Sequence, residues 1–346
     1  MNDSRYIRSA ILNLKTLTMK NSALVLVFSL GLASCGSGEV KDYLPESNGP
    51  LNQVIVVMEN DMLEGEVGAT LKSYLAERQL GLGVDEPKYD IRHLTPDIFK
   101  GAIMRSRAVV YLQLDTLSRA HIKRDMYATP QHLVVVKGRN SIELIQNLHQ
   151  ILPQAIDSFK TSDLKTAQSR FNRSLYSEPR LRKNFGIELT IPSIYRPGKF
   201  SQDFAWIDRP IENGTMNLLV YTLDANYFSN EKTFLQDLIA MRDSIGKAHV
   251  PGPDVEGVVT YMQTEPIFRP YIFASEVAGY KSAEIRGMWD INGYPMAGPF
   301  VTYVVNDTVN NRKVVLEGFV FAPNKDKRDY LFELEAIIKT LKIVPQ

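Results

Sequence analysis

The chain has 346 residues, of which 44% are hydrophobic and 23% charged, so it is not a disordered protein and is long enough for two packed domains. Its formal net charge is +1, and this becomes −2 without residues 1–34, which hold four basic residues and one acidic residue. This balance excludes a strongly basic nucleic-acid-binding surface as the main feature of the chain.

The N-terminal segment has the order of a secretory signal. Residues 22–34 form an apolar run after Lys20, and the run is shorter than the ~20 residues that a membrane-spanning helix needs. It ends in LASC (32–35), which resembles a bacterial lipobox. That resemblance implies that Cys35 carries a diacylglycerol, that the peptide is cut just before it, and that the new N-terminus is acylated. We therefore expect residues 1–34 to be a lipoprotein signal peptide.

Acylation of Cys35 would consume the only cysteine of the chain, leaving no disulfide, thiol nucleophile or cysteine metal ligand. The alternative is an ordinary signal peptide and a free thiol, which is unusual in an exported protein. Residues 35–51 then form a lipidated tether, and the acyl chains hold it at a membrane. Gly36 follows the general sorting pattern for the outer membrane, facing the periplasm. Translation can start at Met1 or at Met19.

The first part of the folded region is predicted to be an α+β domain over residues 52–160. Asn140 and Glu143 form a capping-box pattern that opens a long helical region, and Pro153 is expected to kink it. Beyond residue 160, this region becomes a helical connector over 161–184. The predicted strands are 53–58, 89–94, 108–114 and 132–136, and the predicted helices are 62–78, 95–101 and 141–183.

A second α+β domain is predicted over residues 185–346. Three strands with hairpin-like spacing suggest a β-meander, and an apolar stripe in the last helix suggests that this helix closes over one face. The predicted strands are 185–192, 203–208, 216–224, 258–264, 281–291, 299–306 and 312–322, and the predicted helices are 230–245 and 325–342. The expected fold class is α+β, with antiparallel-rich sheets and packed helices.

Several stretches carry a resemblance to a known family. These are EGEVGATLKSYL (64–75), DEPKYDI (85–91), FAWIDRP (204–210), MAGPFVTYVVND (296–307) and LEGFVFAPNKDKRDYLFELEAI (316–337). They resemble an uncharacterised family of Bacteroidota lipoproteins, domain of unknown function family 4837. This implies a cell-envelope location and offers no catalytic residues. The element order over 185–343 is also similar to the α/β/α arrangement of PsbP-like proteins, which are mostly binding or assembly factors, although fold is a poor guide to function.

One acidic cluster follows the first strand and consists of Glu59, Asp61, Glu64 and Glu66. Carboxylates at the end of a strand could act as acid and base in an envelope hydrolase or hold Ca²⁺. The simpler interpretation is that they complement the dipole of the helix that begins there, and the sequence favours it.

A second group of candidates is aromatic and basic. Trp206 and Trp289, with Tyr195 and Arg196 nearby in sequence, could line a groove for a peptide or glycan, although a tryptophan in a strand usually belongs to the core. Arg328 lies in KDKRDY (325–330), which is either a docking patch or a solvated first helical turn. The basic residues at 325 and 327 have the unfavourable sign for a helix N-terminus.

No metal or cofactor is expected, because the five histidines lack the H-x-H or i, i+4 spacing of metal ligands. The sequence favours a non-enzymatic envelope lipoprotein that binds a protein or envelope component, with no nucleic acid. Two alternatives stay open: a hydrolase that uses the carboxylates at 59–66, and a small-ligand carrier with a deep apolar pocket between the domains.

Overall fold

The structure of the protein is a computed structural model that describes residues 43–345. The helices are α1 (Asn60–Glu64), α2 (Glu66–Leu75), α3 (Ser141–Phe171), α4 (Pro179–Phe185), α5 (Phe234–His249) and α6 (Arg328–Ile338), with a 3₁₀ turn at Gly101–Arg105. The strands are β1 (Gln53–Val57), β2 (Asp90–Leu94), β3 (Ala108–Leu114), β4 (Arg119–Arg124), β5 (His132–Gly138), β6 (Leu175–Tyr176), β7 (Ile187–Glu188), β8 (Ile191–Pro192), β9 (Arg196–Phe200), β10 (Phe204–Ile211), β11 (Gly214–Asp224), β12 (Met262–Thr264), β13 (Tyr271–Val277), β14 (Tyr280–Ile291), β15 (Tyr294–Asp307), β16 (Arg312–Phe321) and β17 (Lys342–Ile343).

The first sheet has five strands in the order β2-β1-β3-β5-β4. The pairs β2-β1, β1-β3 and β3-β5 are parallel, whereas β4 runs antiparallel to β5 at one edge. The interior strand β1 is apolar on both faces because both faces are covered, as is usual for parallel sheets. Val54 and Val56 pack against α2 and α3, while Ile55 and Val57 pack under the loops on the other side.

The second sheet has eight strands in the order β12-β14-β15-β16-β11-β10-β9, and β13 pairs with the remaining length of β14. All of its pairs are antiparallel. Its long strands alternate between two cores. In β16, for example, Val314 and Leu316 face the core under α6, whereas Val315 and Phe319 face the core under α5.

Helix α6 joins the two halves of the molecule. Its apolar stripe packs on the second sheet, where Gly318 permits a close approach to Leu334. It also contacts the first half: Gln168 in α3 donates to the carbonyl of Ala336 at 3.0 Å, and Asn52 donates to Asp329 at 2.9 Å. Residues 45–345 therefore belong to one compact unit.

The predicted α+β class is confirmed by mixed helices and strands in which antiparallel pairs predominate. The long helix differs from its prediction. It opens at the predicted cap, where the Asn140 side chain accepts from the amide of Glu143, but it ends at Phe171 rather than near 183. The chain then leaves the helix and forms β6, which precedes α4 and pairs with β8 on the other side of α4 in the sequence. The helix passes through residue 160 unbroken, and the domain limits at 160 and 185 stay predictions.

Five strands that were not predicted from the sequence are present, namely β4, β6, β9, β13 and β17, and the two longest of them are β13 and β4. β4 is rich in charged residues, so it lacks an apolar signal, and it lies at a sheet edge where charge is tolerated. β13 follows a loop with prolines at 266 and 270 and lies at an edge of the second sheet. Neither of these two edge strands was predicted, because an edge strand does not require the apolar pattern of a buried strand.

Candidate functional site

The two predicted tryptophans lie in the core under α5. Trp289 is buried, and its ring centroid is 5.6 Å from that of Phe319. Trp206 is half-buried, and its ring is 6.2 Å from the same phenylalanine. Its indole N–H donates to Oδ1 of Asn217 at 3.0 Å. The structure thus brings the two rings together around Phe319 as packing groups, and a ligand for them stays a prediction.

The other members of that group have separate partners. The Arg196 guanidinium lies 2.9 Å from the carboxylate of Asp208 on the surface of the second sheet. Tyr195 is buried, and its hydroxyl donates to Glu333 at 2.8 Å. The structure therefore ties both residues into local pairs, not into a shared cavity with the tryptophans.

Arg328 connects the first turn of α6 to the first sheet. Its guanidinium is 2.9 Å from Asp90 Oδ2 and donates to the carbonyl of Pro87 at 3.0 Å. The carboxylate of Glu86 accepts from the backbone amides of Lys327 and Arg328 at 2.9 and 2.8 Å. A carboxylate at this helix N-terminus supplies the negative charge that the dipole favours, which explains why basic side chains are tolerated there.

The acidic cluster lies on the surface around α1 and the start of α2. Glu59, Asp61, Glu64 and Glu66 are all exposed, and Asp61 accepts from the amide of Met62 at 2.8 Å. Within residues 43–345, no group of three His, Cys, Asp or Glu side chains is placed to hold a metal ion. A catalytic role for the four carboxylates stays a prediction.

The predicted signal peptide and Cys35 lie outside the described residues. No helix in the described part of the chain is both long and apolar enough to span a membrane.

A cavity of about 600 Å³ opens beside β13, and we call it the β13 groove. One wall is the loop after α2, and the other is the segment that leads into β13 together with part of β14. The lining residues are Arg78, Gly81, Leu82, Gly83, Ile267, Phe268, Arg269, Pro270, Tyr271, Ile272, Gly287 and Met288.

The loop wall depends on glycine. Gly81 has φ +86°, and a Cβ there would lie 2.5 Å from the Cβ of Arg286. A Cβ on Gly83 would lie 2.7 Å from the Cε of Met288. The loop can lie directly on β14 only because these positions lack side chains. This contact brings two parts of the chain about 200 residues apart into one groove.

The opposite wall presents apolar side chains to solvent. The carboxylate of Glu265 accepts from the amides of Ile267 and Phe268 at 3.1 and 2.8 Å, which folds this segment into a tight turn. As a result, Ile267 is 80% exposed and Phe268 is 63% exposed. Tyr271 and Ile272 continue the exposed apolar surface along β13.

A smaller cavity of about 300 Å³ with several charged lining residues lies next to the groove, and Leu82 lines both. Glu335 of α6 lies at its base, with Oε2 2.5 Å from Arg286 and Oε1 2.8 Å from Lys160 of α3. Burial alone would raise the pKa of Glu335, but the charges of Arg286 and Lys160 outweigh it and lower that pKa to about 2. This ion network fixes the junction of the two halves beneath the groove.

β13 forms one edge of the second sheet. It pairs with β14 from Tyr271↔Arg286 to Val277↔Tyr280, and no described strand pairs with its other side. Lys339 holds the far end of the strand, because its ammonium donates to Ser275 Oγ at 3.0 Å and to the carbonyl of Glu276 at 2.8 Å. The groove therefore runs beside a strand with a free backbone edge.

This site was not predicted from the sequence, although part of its signal is present there. YIFASEV (271–277) is rich in aromatic and β-branched residues and is followed by Ala278-Gly279, a strand-and-turn pattern. The apposition of residues 81–83 with β14 has no local signal, because it depends on tertiary contact alone.

Two family models match the chain. Residues 174–340 match the family described as Domain of unknown function (DUF4837), and residues 47–172 match the one described as Domain of unknown function (DUF8532). The two matches meet at the end of α3. No curated protein matches the chain.

Solved structures are similar to about half of the chain. A protein from Bacteroides thetaiotaomicron VPI-5482 has a TM-score of 0.28 and 11% identity, over 50% of this chain and 49% of that one. The chain thus spans about half the length of that protein. LpqN, involved in cell envelope biogenesis of Mycobacterium tuberculosis, has a TM-score of 0.29 and 16% identity, over 46% and 83%. The Saccharomyces cerevisiae Ran-binding protein Mog1p has a TM-score of 0.30 and 9% identity, over 46% and 91%.

Proposed function

We propose that this chain, which carries a DUF4837 domain over residues 174–340, is a lipid-anchored envelope protein that binds a protein partner in the β13 groove without catalysis. The anchor would be the acylated Cys35, in the outer membrane and facing the periplasm. The tether of residues 35–51 would connect the anchor to the folded unit.

The observation that supports binding is the exposed apolar wall of the groove. Ile267 and Phe268 expose most of their surface beside a cavity of about 600 Å³. Large contiguous apolar patches on a protein surface often mark sites that contact another molecule. The turn held by Glu265 keeps both side chains outward, so their exposure is built into the local structure.

The partner is tested by crosslinking in cells. A photoreactive amino acid at position 268 is expected to capture a specific protein, whereas the same group at Leu117, which is 58% exposed on the first half, is not. Captured proteins are identified by mass spectrometry. Equal patterns from both positions, or no specific product from position 268, would contradict the proposal.

The anchor is tested separately. Cells fed labelled palmitate are expected to label the wild-type chain and not the Cys35→Ala variant, and only the wild type should remain with the membrane fraction. Labelling of the variant would rule out lipidation at Cys35.

The size of the groove supports a second candidate, a carrier of a small apolar ligand. Sites for such ligands are typically concave, largely apolar and about 300–1,000 Å³ in volume. An apolar dye whose fluorescence rises in the wild type, and not in Phe268→Asp, would favour the carrier. We prefer the protein partner because the groove is open along an exposed strand and does not enclose a ligand.

A further inference from the structure

The edges of the two main sheets are not equally protected against pairing with another chain. An exposed strand edge is a template for a further strand, and proteins usually block it with charge, proline or short length. The other edges of the described sheets follow this rule: β4 carries Arg119, Lys123 and Arg124, β9 carries Arg196, Pro197 and Lys199, β2 carries Asp90 and Arg92, and β12 has three residues.

β13 departs from the rule. It has seven residues, and Tyr271, Ile272, Phe273 and Ala274 in succession are exposed. The strand contains no lysine, arginine or proline, and its one charged residue is Glu276 near its end. In the described part of the chain, this is the one long edge of the main sheets without such protection. An edge of this kind invites strand pairing unless a partner covers it.

We propose that an extended segment of a partner protein adds to β13 as a further strand, places an apolar side chain in the β13 groove and directs an acidic residue to Arg269. This inference rests on the proposed binding function and specifies its chemistry. In this recognition mode the backbone hydrogen bonds contribute affinity, and the pockets beside the edge select the side chains.

The side chains of β13 are arranged for this role. Opposed residues of an antiparallel pair share a face, so Tyr271 and Phe273 lie on the same face as Arg286 and Glu284, above the junction. Ile272 points to the other face. An added strand would therefore meet aromatic side chains on one face and an aliphatic side chain on the other, which suits a segment with apolar residues.

The positive charge of Arg269, just before β13, indicates that the partner segment carries an acidic group. Arg269 lines the groove, is exposed and forms no ion pair with any residue from 43 to 345. Arg78 lies on the opposite wall, and its pair with Asp85 is largely solvated, with side chains 54% and 82% exposed. Solvated pairs are weak, so Arg78 can also turn to an incoming carboxylate.

Other occupants fit less well. An acyl chain could fill the groove but would leave the outward N–H and C=O groups of β13 without partners. A second copy, paired antiparallel about Ala274, would place Glu276 of one chain opposite Ile272 of the other and bring no acid to Arg269. A partner segment can pair with the backbone edge of β13, fill the apolar groove and bring a carboxylate to Arg269 at the same time.

The test uses the full lipidated chain in detergent and a set of fluorescent heptapeptides. Each peptide alternates Val and Thr and carries one Asp, either at its N-terminus or at its C-terminus. Fluorescence anisotropy should show binding that weakens at least tenfold when alternate backbone nitrogens of the peptide are methylated. Ile272→Lys should abolish binding, and Leu117→Lys, an exposed site elsewhere, should not change it. Arg269→Glu should reverse the preference from Asp-bearing to Lys-bearing peptides.

Three results would overturn the inference. The first is unchanged affinity for the methylated peptides, since binding would then not use the strand edge. The second is a dimer in sedimentation that Ile272→Lys converts to a monomer, because a second copy would be the occupant. The third is capture of a protein at position 268 in cells while no peptide of the set binds, which keeps the proposed function and rejects the strand mode. If Ile272→Lys fails to fold, the methylated peptides and the Arg269→Glu variant still test whether a strand adds to β13.

Discussion

Glu335 is a buried carboxylate held between Arg286 and Lys160 beneath the groove. Removing one partner of such a group leaves the others charged and unpaired in the interior, which is strongly unfavourable. The residue therefore holds α3, α6 and β14 together, and its ionisation state matters for the stability of the whole junction.

Stability should depend on the protonation of Glu335. Its pKa is lowered to about 2 in the fold from an ordinary value of 4.5, so its contribution is complete above pH 4.5 and is lost as the pH falls towards 2. We expect the free energy of unfolding, measured in urea at several pH values, to fall less steeply over this range in Glu335→Gln than in the wild type. The control is Glu212→Gln. The side chain of Glu212 is 73% exposed, so this substitution should leave the dependence of the unfolding free energy on pH unchanged. Parallel curves for Glu335→Gln and the wild type would contradict this assignment.

Two glycines with positive φ provide a matched pair for the groove wall. Gly81→Ala places alanine in an unfavourable backbone conformation and adds a Cβ that would lie 2.5 Å from Arg286. Gly101→Ala, at φ +63°, has the same kind of backbone conformation, but its added Cβ meets no atom within 4 Å. We expect Gly101→Ala to lose about 1 kcal/mol from the backbone alone, and Gly81→Ala to lose about 1–3 kcal/mol more from overpacking. Urea denaturation measures both, and equal losses would show that the loop does not press on β14.

Among the secondary-structure elements, β13 and the turn before it expose apolar side chains, and no described strand covers the outer edge of β13. The turn is held by Glu265 and not by burial of Ile267 and Phe268. Polar residues at those two positions should therefore be compatible with the fold while changing what the surface binds.

The double variant Ile267→Asp, Phe268→Asp should keep its thermal midpoint, since exposed substitutions change stability by about 0.5 kcal/mol or less. It should also show less concentration-dependent scattering of light, because the apolar patch beside the free edge is gone. Leu117→Asp, another exposed apolar site, is the control and should leave scattering unchanged. A drop in the midpoint would show that the two side chains support the fold.

The elements that sequence reasoning could predict are those with a local signal. The β-branched run at 53–57 predicted β1, and the apolar stripe at 330–341 predicted α6, because burial imposes those patterns. Edge strands such as β4 and β13 lack that constraint. The groove itself requires residues 81–83 to meet residues 286–288, and no spacing in the sequence encodes that meeting. The tryptophans are candidates for ligand contact because of their chemistry, whereas tertiary packing places both around Phe319.

At the scale of the molecule, polar contacts tie the two sheets into one unit. Besides the Glu335 network, Arg328 joins α6 to Asp90 of β2, and within the first half the buried Arg107–Asp163 pair at 2.6 Å joins the residue before β3 to α3. The links made by Glu335 to Lys160 and by Arg328 to Asp90 run between parts of the chain that match two different family models. We therefore expect residues 45–345 to unfold together.

Calorimetry tests this cooperativity. The wild type should unfold in one transition whose calorimetric and van't Hoff enthalpies agree. Arg328→Met removes the link between α6 and β2, and should lower stability by about 1–3 kcal/mol and broaden or split the transition. Arg196→Met, which breaks an exposed pair within the second sheet, should cost less than about 1 kcal/mol and leave one transition. Two transitions in the wild type would show that the halves are independent.

The carboxylate of Glu86, which accepts from the first amides of α6, has a consequence for the order of folding. The two partners are separated by about 240 positions, so the N-terminus of α6 lacks its acceptor until the first half has taken shape. Closing so long a loop carries an entropic cost before the contact forms. The contact between Glu86 and the N-terminus of α6 should therefore form late in folding. Hydrogen exchange during refolding should show the amides of residues 327 and 328 gaining protection after those of β1 and β3.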